Sequence, residues 1–331
     1  MNHSQDTFPR RKFLAALGAA TAGQLAGASS WAQGVFPSRP ITILVPFAPG
    51  GPTDASARVI GRAMSVLLGQ PVIIENKPGG GGMLGTTFVA QAPADGYTLL
   101  WGGTSSLAVA PSLYPNLKFD PQKSFVPVGI ATRGALILVG KPAFPPNNVK
   151  ELVAYAKDRQ LNMGNGGTGT VTHLVAEYFR ELTGIRMLNV PYRGGGPAIS
   201  DLMAGVLDTA FDNAAFLVPY IKAGKLKPYA VTGTERHKDF PDLPTVAEAF
   251  GGDFQAYSWF GLFAPSKTPD EVVSTLAIAM AKANFDGEVR KTLVAAGLEP
   301  ASVARSDAQK FVAADIRRWS GIITRANVKI E

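Results

Sequence analysis

The chain of 331 residues contains no cysteine. That excludes disulfides, thiolate metal sites and a cysteine nucleophile, and leaves stability to apolar cores alone. Histidine is nearly as scarce: His3, His173 and His237 are the whole set. Two isolated histidines in the body of the chain make no metal-ligand cluster. His173 sits among apolar helical positions and reads as a packed or surface residue, while His237, between Arg236 and Lys238, reads as part of a solvated loop. No G-x-S-x-G elbow and no G-x-x-x-x-G-K-[ST] phosphate loop is present, so a serine hydrolase or a P-loop nucleotide enzyme has no support. No stretch beyond residue 32 comes near the ~18 apolar residues that a membrane helix needs. Like charges never run to five, and the formal net charge of +7 is modest for this length. The basic excess therefore reads as a solvated surface, not a nucleic-acid footprint.

What the chain does have begins with a leader. Arg10-Arg11-Lys12-Phe13-Leu14 opens a weakly apolar, Ala/Gly-rich stretch that closes on Ser30-Trp31-Ala32, a small-x-small cleavage site. Residues 1–32 thus read as a twin-arginine-type export signal with Gln33 as the mature N-terminus, and the compartment expected is the periplasm. Removing them takes away Arg10, Arg11, Lys12 and Asp6, which leaves 29 basic and 24 acidic residues, a net +5.

Glycine and proline are plentiful, at 36 and 25, and they fall between strands and helices. Ile41 to Val45 form a β-branched run, followed by Pro46-Phe47-Ala48-Pro49-Gly50-Gly51-Pro52-Thr53-Asp54. A helix follows, with apolar positions from Ala55 to Leu68 and a stop at Gly69. Thr53 or Asp54 is placed to cap it, and the free backbone N–H groups of that end favour a carboxylate or phosphate. The same unit recurs: Val72-Ile73-Ile74 into Gly79–Gly82, Tyr97 to Trp101 into Gly102-Gly103-Thr104-Ser105, Leu161-Asn162-Met163 into Gly164–Thr170, and Met187 to Val190 into Pro191–Pro197. Thr209 to Asp212 read as a further buried strand. Alternating strands and helices predict an α/β protein with mostly parallel sheets and ligands at the carboxyl ends of the strands.

Two such groups are separated by apolar segments at Phe125 to Val139 and at Phe254 to Ala264, after which the chain closes in helices. Two crossings predict two lobes with a cleft between them. Lobe 1 comprises 33–132 plus 258–331 and lobe 2 comprises 133–257. Two loops match G-x-G-x-x-G, at Gly80, Gly82, Gly85 and at Gly164, Gly166, Gly169. Neither has an acid at the end of the next strand, so a nicotinamide or flavin cofactor is not expected, and no cofactor or metal is assigned. Asp212 and Asp54 each sit where an acid can face a ligand or simply cap a helix, and Arg193 either supplies a counter-charge or points outward.

Pro37-Ser38-Arg39-Pro40-Ile41 with Val45–Asp54, then Glu75–Gly80, Pro93–Leu99, Val190–Gly194, Asp201-Leu202 and Pro241–Thr245 together resemble the Bug family. These are extracytoplasmic solute receptors of tripartite tricarboxylate transporters. The resemblance implies a two-lobed Venus-flytrap protein of the periplasm, not an enzyme, that holds a small carboxylic acid through backbone amides and ordered waters. Carried onto this chain, it implies contacts from Phe47, Ala48, Gly50 and Asp54, with Thr104 and Ser105 nearby, and from Asn165, Gly169, Thr170 and Asp212 in the second lobe. Relatives often have a Tyr-Gly-Ser-type loop where this chain has Met163-Gly164-Asn165, and Asp212 would suit an amide or ammonium group on the ligand. A monomer that hands its ligand to membrane transporter subunits is expected. The alternatives are a ligand-loaded sensor, or a periplasmic enzyme using Asp54 and Asp212.

Overall fold

The structure is a computed structural model that describes residues 36–296, 298–325 and 328. The export signal expected over residues 1–32 lies outside these. Arg39–Glu331 form one compact unit, and of the unit Met1–Ser38 only Phe36, Pro37 and Ser38 are described, with a cis Phe36–Pro37 bond.

Chain order gives β1 (Ile41–Val45), α1 (Pro52–Leu68), β2 (Val72–Asn76), α2 (Met83–Ala90) and β3 (Thr98–Gly103). A wide π-turn at Thr104–Val109 then runs into α3 (Ala110–Leu113) and the long strand β4 (Phe125–Gly140). The second group is α4 (Val149–Asp158), β5 (Leu161–Asn165), α5 (Val171–Thr183), β6 (Met187–Pro191), α6 (Gly195–Met203), β7 (Thr209–Asn213), α7 (Ala214–Lys222), β8 (Lys227–Val231) and α8 (Val246–Phe250). The chain closes with β9 (Tyr257–Pro265), α9 (Asp270–Phe285), α10 (Gly287–Ala295), β10 (Pro300–Val303) and α11 (Arg305–Arg325).

The strands follow the order β2-β1-β3-β9-β4-β7-β5-β6, with β8 and β10 also pairing β4. Pairing is parallel within each βα group: β1 with β2 and β3, and β5 with β6 and β7. The crossing strands are antiparallel to everything they touch, because a segment that leaves a lobe and one that returns must run in opposite senses. The sheet is therefore mixed where mostly parallel lobes were expected. β4 changes partners halfway: Phe125 to Ala135 lie along β9, and Leu136 to Gly140 lie between β7 and β8. The fold is α/β and two-lobed, its halves joined through β4 and β9.

Burial follows the sequence pattern. β7 is buried at all five positions, whereas the edge strand β2 alternates between half-buried and exposed, as period-2 patterning dictates. Trp101, Trp259 and Trp319 are fully buried. The Trp101 indole donates to Ser56 Oγ at 2.9 Å and the Trp259 indole to Asp315 Oδ2 at 2.8 Å, so each aromatic joins a strand to a helix. Gly69 and Gly184 stop α1 and α5 in left-handed conformation, as expected. Two local expectations are corrected. The cap of α1 is Gly51, not Thr53 or Asp54, because Pro52 occupies the first helical position, where its fixed φ and missing N–H cost nothing. His237 is buried rather than solvated: it packs 5.8 Å from the Phe240 ring, and its Nδ1 accepts from the Asp239 amide at 3.2 Å. Desolvation holds its pKa below the ordinary imidazole value.

Candidate functional site

The carboxyl ends of β1, β3, β5, β6 and β7 all reach one cavity of about 40 Å³. It is lined by Phe47, Ala48, Gly51, Pro52 and Thr53 on the first loop and by Ser105 after β3. Gly166, Thr170, Val171 and Thr172 line it after β5, Gly194 and Gly195 after β6, and Asp212 and Asn213 at the end of β7. Ser258 and Phe260 of β9 complete the wall.

The first loop is shaped by Asp54. Its carboxylate accepts from the Gly50 amide at 3.0 Å, from Arg58 Nε at 3.0 Å and from Asn76 Nδ2 at 2.9 Å, and pairs with Arg58 Nη2 at 2.9 Å. Burial raises the Asp54 pKa, but these donors together outweigh it and hold the carboxyl below its ordinary value. Asn76 also donates to the Phe47 carbonyl at 3.0 Å. Asp54 thus folds the loop back over the start of α1.

The second set of loops is built the same way. Asn165 Oδ1 accepts from the Gly167 amide at 2.9 Å, and its Nδ2 donates to Asn189 at 3.2 Å. Thr170 is the cap of α5, and its hydroxyl donates to the Gly167 carbonyl at 2.7 Å. The Gly169 amide donates to His173 Nδ1 at 3.3 Å, so this histidine is packed and neutral, its pKa lowered chiefly by burial.

The two sets meet. The Ala48 amide donates to the Arg193 carbonyl at 2.8 Å, the Val171 amide to Ser105 Oγ at 3.0 Å, and the Tyr114 hydroxyl to the Thr168 carbonyl at 3.0 Å. These bonds describe a closed arrangement. Arg193 contributes its carbonyl, and its side chain is exposed.

Of the residues that the resemblance implies, the structure brings Phe47, Ala48, Ser105, Thr170 and Asp212 to the cavity wall. Gly50, Asp54, Thr104, Asn165 and Gly169 support that wall from behind: Thr104 Oγ1, for instance, accepts from the Trp259 amide at 2.9 Å. The starts of α5 and α6, with Asn213 and Ser258, were not singled out from sequence. Pro197 signals α6, and the apolar run from Phe254 hides Ser258.

Three helix N-termini, those of α1, α5 and α6, converge on this cavity. Each brings the partial positive charge of a helix start, which favours an anion. The one charged side chain among the lining residues is Asp212, 2% exposed. Its Oδ1 accepts from the amide of Asn213 at 2.7 Å and from the Asn213 side chain at 3.2 Å, and among the described residues no donor reaches Oδ2. Burial pushes its pKa up to about 6, against the lowering effect of Asn213. Oδ2 lies 2.1 Å from where a Cβ on Gly195 would be, so only glycine fits there.

A larger groove of about 950 Å³ lies between the 231–239 segment, α7, α10 and the Glu299–Pro300 turn. Size would favour it, but none of the residues implied from sequence lines it. Rim charges are spent on one another, Lys222 with Asp239 at 2.6 Å and Arg236 with Glu248 at 2.9 Å. Helix ends and strand ends converge on the smaller cavity, which makes it the candidate site. Among the described residues no cluster suits a metal ion, and no helix is long and apolar enough to cross a membrane.

The family model described as "Tripartite tricarboxylate transporter family receptor" matches residues 56–328. The chain belongs to this family. Protein BugT of Bordetella pertussis is 34% identical over 325 residues, which cover 97% of this chain and 99% of BugT. The solved structure of the periplasmic binding protein BugD superposes with a TM-score of 0.86 at 35% identity, covering 89% of this chain and 100% of BugD. MatC of Rhodopseudomonas palustris, solved with bound malate, gives a TM-score of 0.81 at 35% identity and covers 87% of this chain and 100% of its own. The family is thus one of receptors, and BugD, which superposes on this chain, is a periplasmic binding protein.

Proposed function

We propose that the protein is a periplasmic solute receptor that closes around a small carboxylic acid and delivers it to a tripartite tricarboxylate-type membrane transporter. The observation that carries the reading is the convergence of three helix N-termini and their glycine-rich loops on one cavity. Such a site holds a carboxylate without a cationic side chain. Malate on MatC supports the same ligand class. In this reading lobe 1 is 33–132 plus 258–331, lobe 2 is 133–257, and the bonds from Ala48 to Arg193, from Val171 to Ser105 and from Tyr114 to Thr168 form when the lobes close. The ligand contacts are Phe47, Ala48, Ser105, Thr170 and Asp212, with Gly50, Asp54, Thr104, Asn165 and Gly169 holding their loops. Closure is a population shift driven by the difference in ligand affinity between open and closed states. The leader of residues 1–32 directs export.

Thermal unfolding of the ligand-stripped protein against a panel of small mono- and dicarboxylates tests this. A ligand at 100 times its Kd adds about 2.7 kcal/mol and raises the midpoint by several degrees. Recovery of the ligand unchanged excludes turnover. Folded, empty protein that responds to no acid refutes the carboxylate assignment.

A further inference from the structure

We propose that the ligand is a carboxylate that also carries a protonated amino group, and that Asp212 is the residue that selects it. The inference rests on the receptor reading above and narrows its ligand class. The carboxylate sits at the converging helix ends, and the ammonium sits against Asp212 Oδ2 with Ser258 Oγ alongside.

Charge inventory is the first argument. Among the described residues the wall contains no lysine, arginine or histidine, and its only charged side chain is an acid. A dicarboxylate would bring two further negative charges beside Asp212, with only the partial charges of helix ends to oppose three. A zwitterion adds no net charge, and each of its poles meets an opposite one.

Unmet hydrogen bonding is the second. Buried polar atoms are nearly always paired, and an orphan in a native structure points to a missing partner. One such atom belongs to the cavity wall: Ser258 Oγ, whose residue is 1% exposed and which has no partner among the described residues. Asp212 Oδ2, on the same wall, accepts from no donor among the described residues, since both donors of Asn213 go to Oδ1. Oδ2 can only accept while the carboxyl is ionised, so it calls for a donor. A neutral hydroxyl would also meet that need, but only an ammonium brings the opposite charge that compensates a buried carboxylate. Burial is also what raises the Asp212 pKa to about 6, and a cation at Oδ2 reverses that penalty.

The role of neighbours is consistent. Gly195 leaves the approach to Oδ2 open, since a side chain there would overlap it. Among the described residues no second titratable side chain lines the cavity: the loops after β1, β3, β5 and β6 and strand β9 present only apolar, hydroxyl or backbone groups to it. Asp212 alone therefore sets the pH response of binding.

The test is calorimetry on the stripped protein with matched pairs that differ only in the amino group: L-alanine with propionate, L-glutamate with glutarate, and L-phenylalanine with 3-phenylpropionate. In at least one pair the amino acid should bind tenfold or more tightly at pH 7.5. Its affinity should fall below pH 6, while that of the deaminated partner rises as Asp212 takes up a proton. Asp212→Asn should weaken the amino acid at least tenfold and leave the deaminated acid equal or tighter. If that variant does not fold, the opposed pH trends on the natural protein decide the matter. A deaminated acid that binds as tightly as its amino acid overturns the selection by Asp212, as does an amino acid indifferent to Asp212→Asn. Folded protein that binds neither member of any pair overturns the carboxylate reading and this inference with it.

Discussion

Gly196→Ala separates closure from folding. Gly196 is the second residue of α6, and its backbone lies outside the left-handed region. Alanine there should favour the helix by about 0.5–1 kcal/mol over glycine. Across the cleft, however, the added Cβ would stand 2.9 Å from the Gly50 carbonyl carbon, 3.1 Å from its oxygen and 3.1 Å from the Gly51 amide nitrogen. All three are backbone atoms and cannot swing aside as a side chain would. Ordinary carbon contacts begin near ~3.5 Å, so the loops must part by roughly half an ångström or more. Overpacking of this kind costs about 1–3 kcal/mol. That cost falls only on the closed state, so Kd should rise about 5- to 150-fold. Calorimetry with any carboxylate that binds should show this loss, while the unfolding midpoint of the ligand-free protein stays level or rises. Unchanged affinity would refute the claim that the bound state brings the 50–51 and 194–196 segments this close.

Asp54→Asn should cost about 2–4 kcal/mol in urea unfolding at pH 7, because it removes charge-assisted bonds from Gly50 and Arg58 and turns an amide against the donor of Asn76. The folded pKa of Asp54 is depressed, so its contribution is complete above the ordinary value of 3.8 and is lost as pH falls through the lower folded value, where the two proteins should converge. Asp212→Asn should act oppositely on the ligand-free protein. Displacing a buried carboxyl from 3.8 to about 6 corresponds to about 3 kcal/mol of instability at pH 7. The natural protein regains that stability as pH drops from 6 toward 4, so the variant should be the more stable at pH 7, and the gap should close by pH 4. Tyr114→Phe removes the hydroxyl that bonds to the Thr168 carbonyl at 3.0 Å. A loss of about 0.5–1.5 kcal/mol predicts a 2- to 13-fold weaker ligand, with little change in midpoint.

Most of the fold was legible because apolar periodicity and glycine stops coincide. Ile41–Val45 and Thr209 to Asp212 are strands as read, and the helix beginning at Val171 ends at Gly184. Strands β8 and β10 were not legible. Lys227-Pro228 and Pro300 carry proline into them, and both reach the sheet by pairing β4, a long-range event no local pattern records. The candidate site was legible as loops but less well as side chains. Asp54 looks like a ligand contact from sequence because it ends a glycine loop, yet Arg58 one turn on and the distant Asn76 claim its oxygens. Ser258 was invisible, since only the pairing of β9 with β4 turns that position toward the end of β7.

The partner change within β4 also sets an order of assembly as the chain leaves the ribosome. The second half of β4 finds β7 and β8 in the stretch synthesised next, whereas the first half waits for β9, and then β10, from near the end of the chain. One half of the protein can therefore mature while Phe125 to Ala135 still present an unpaired edge. Such an edge is a site for misassociation, and it persists until β9, which ends at Pro265, has been synthesised.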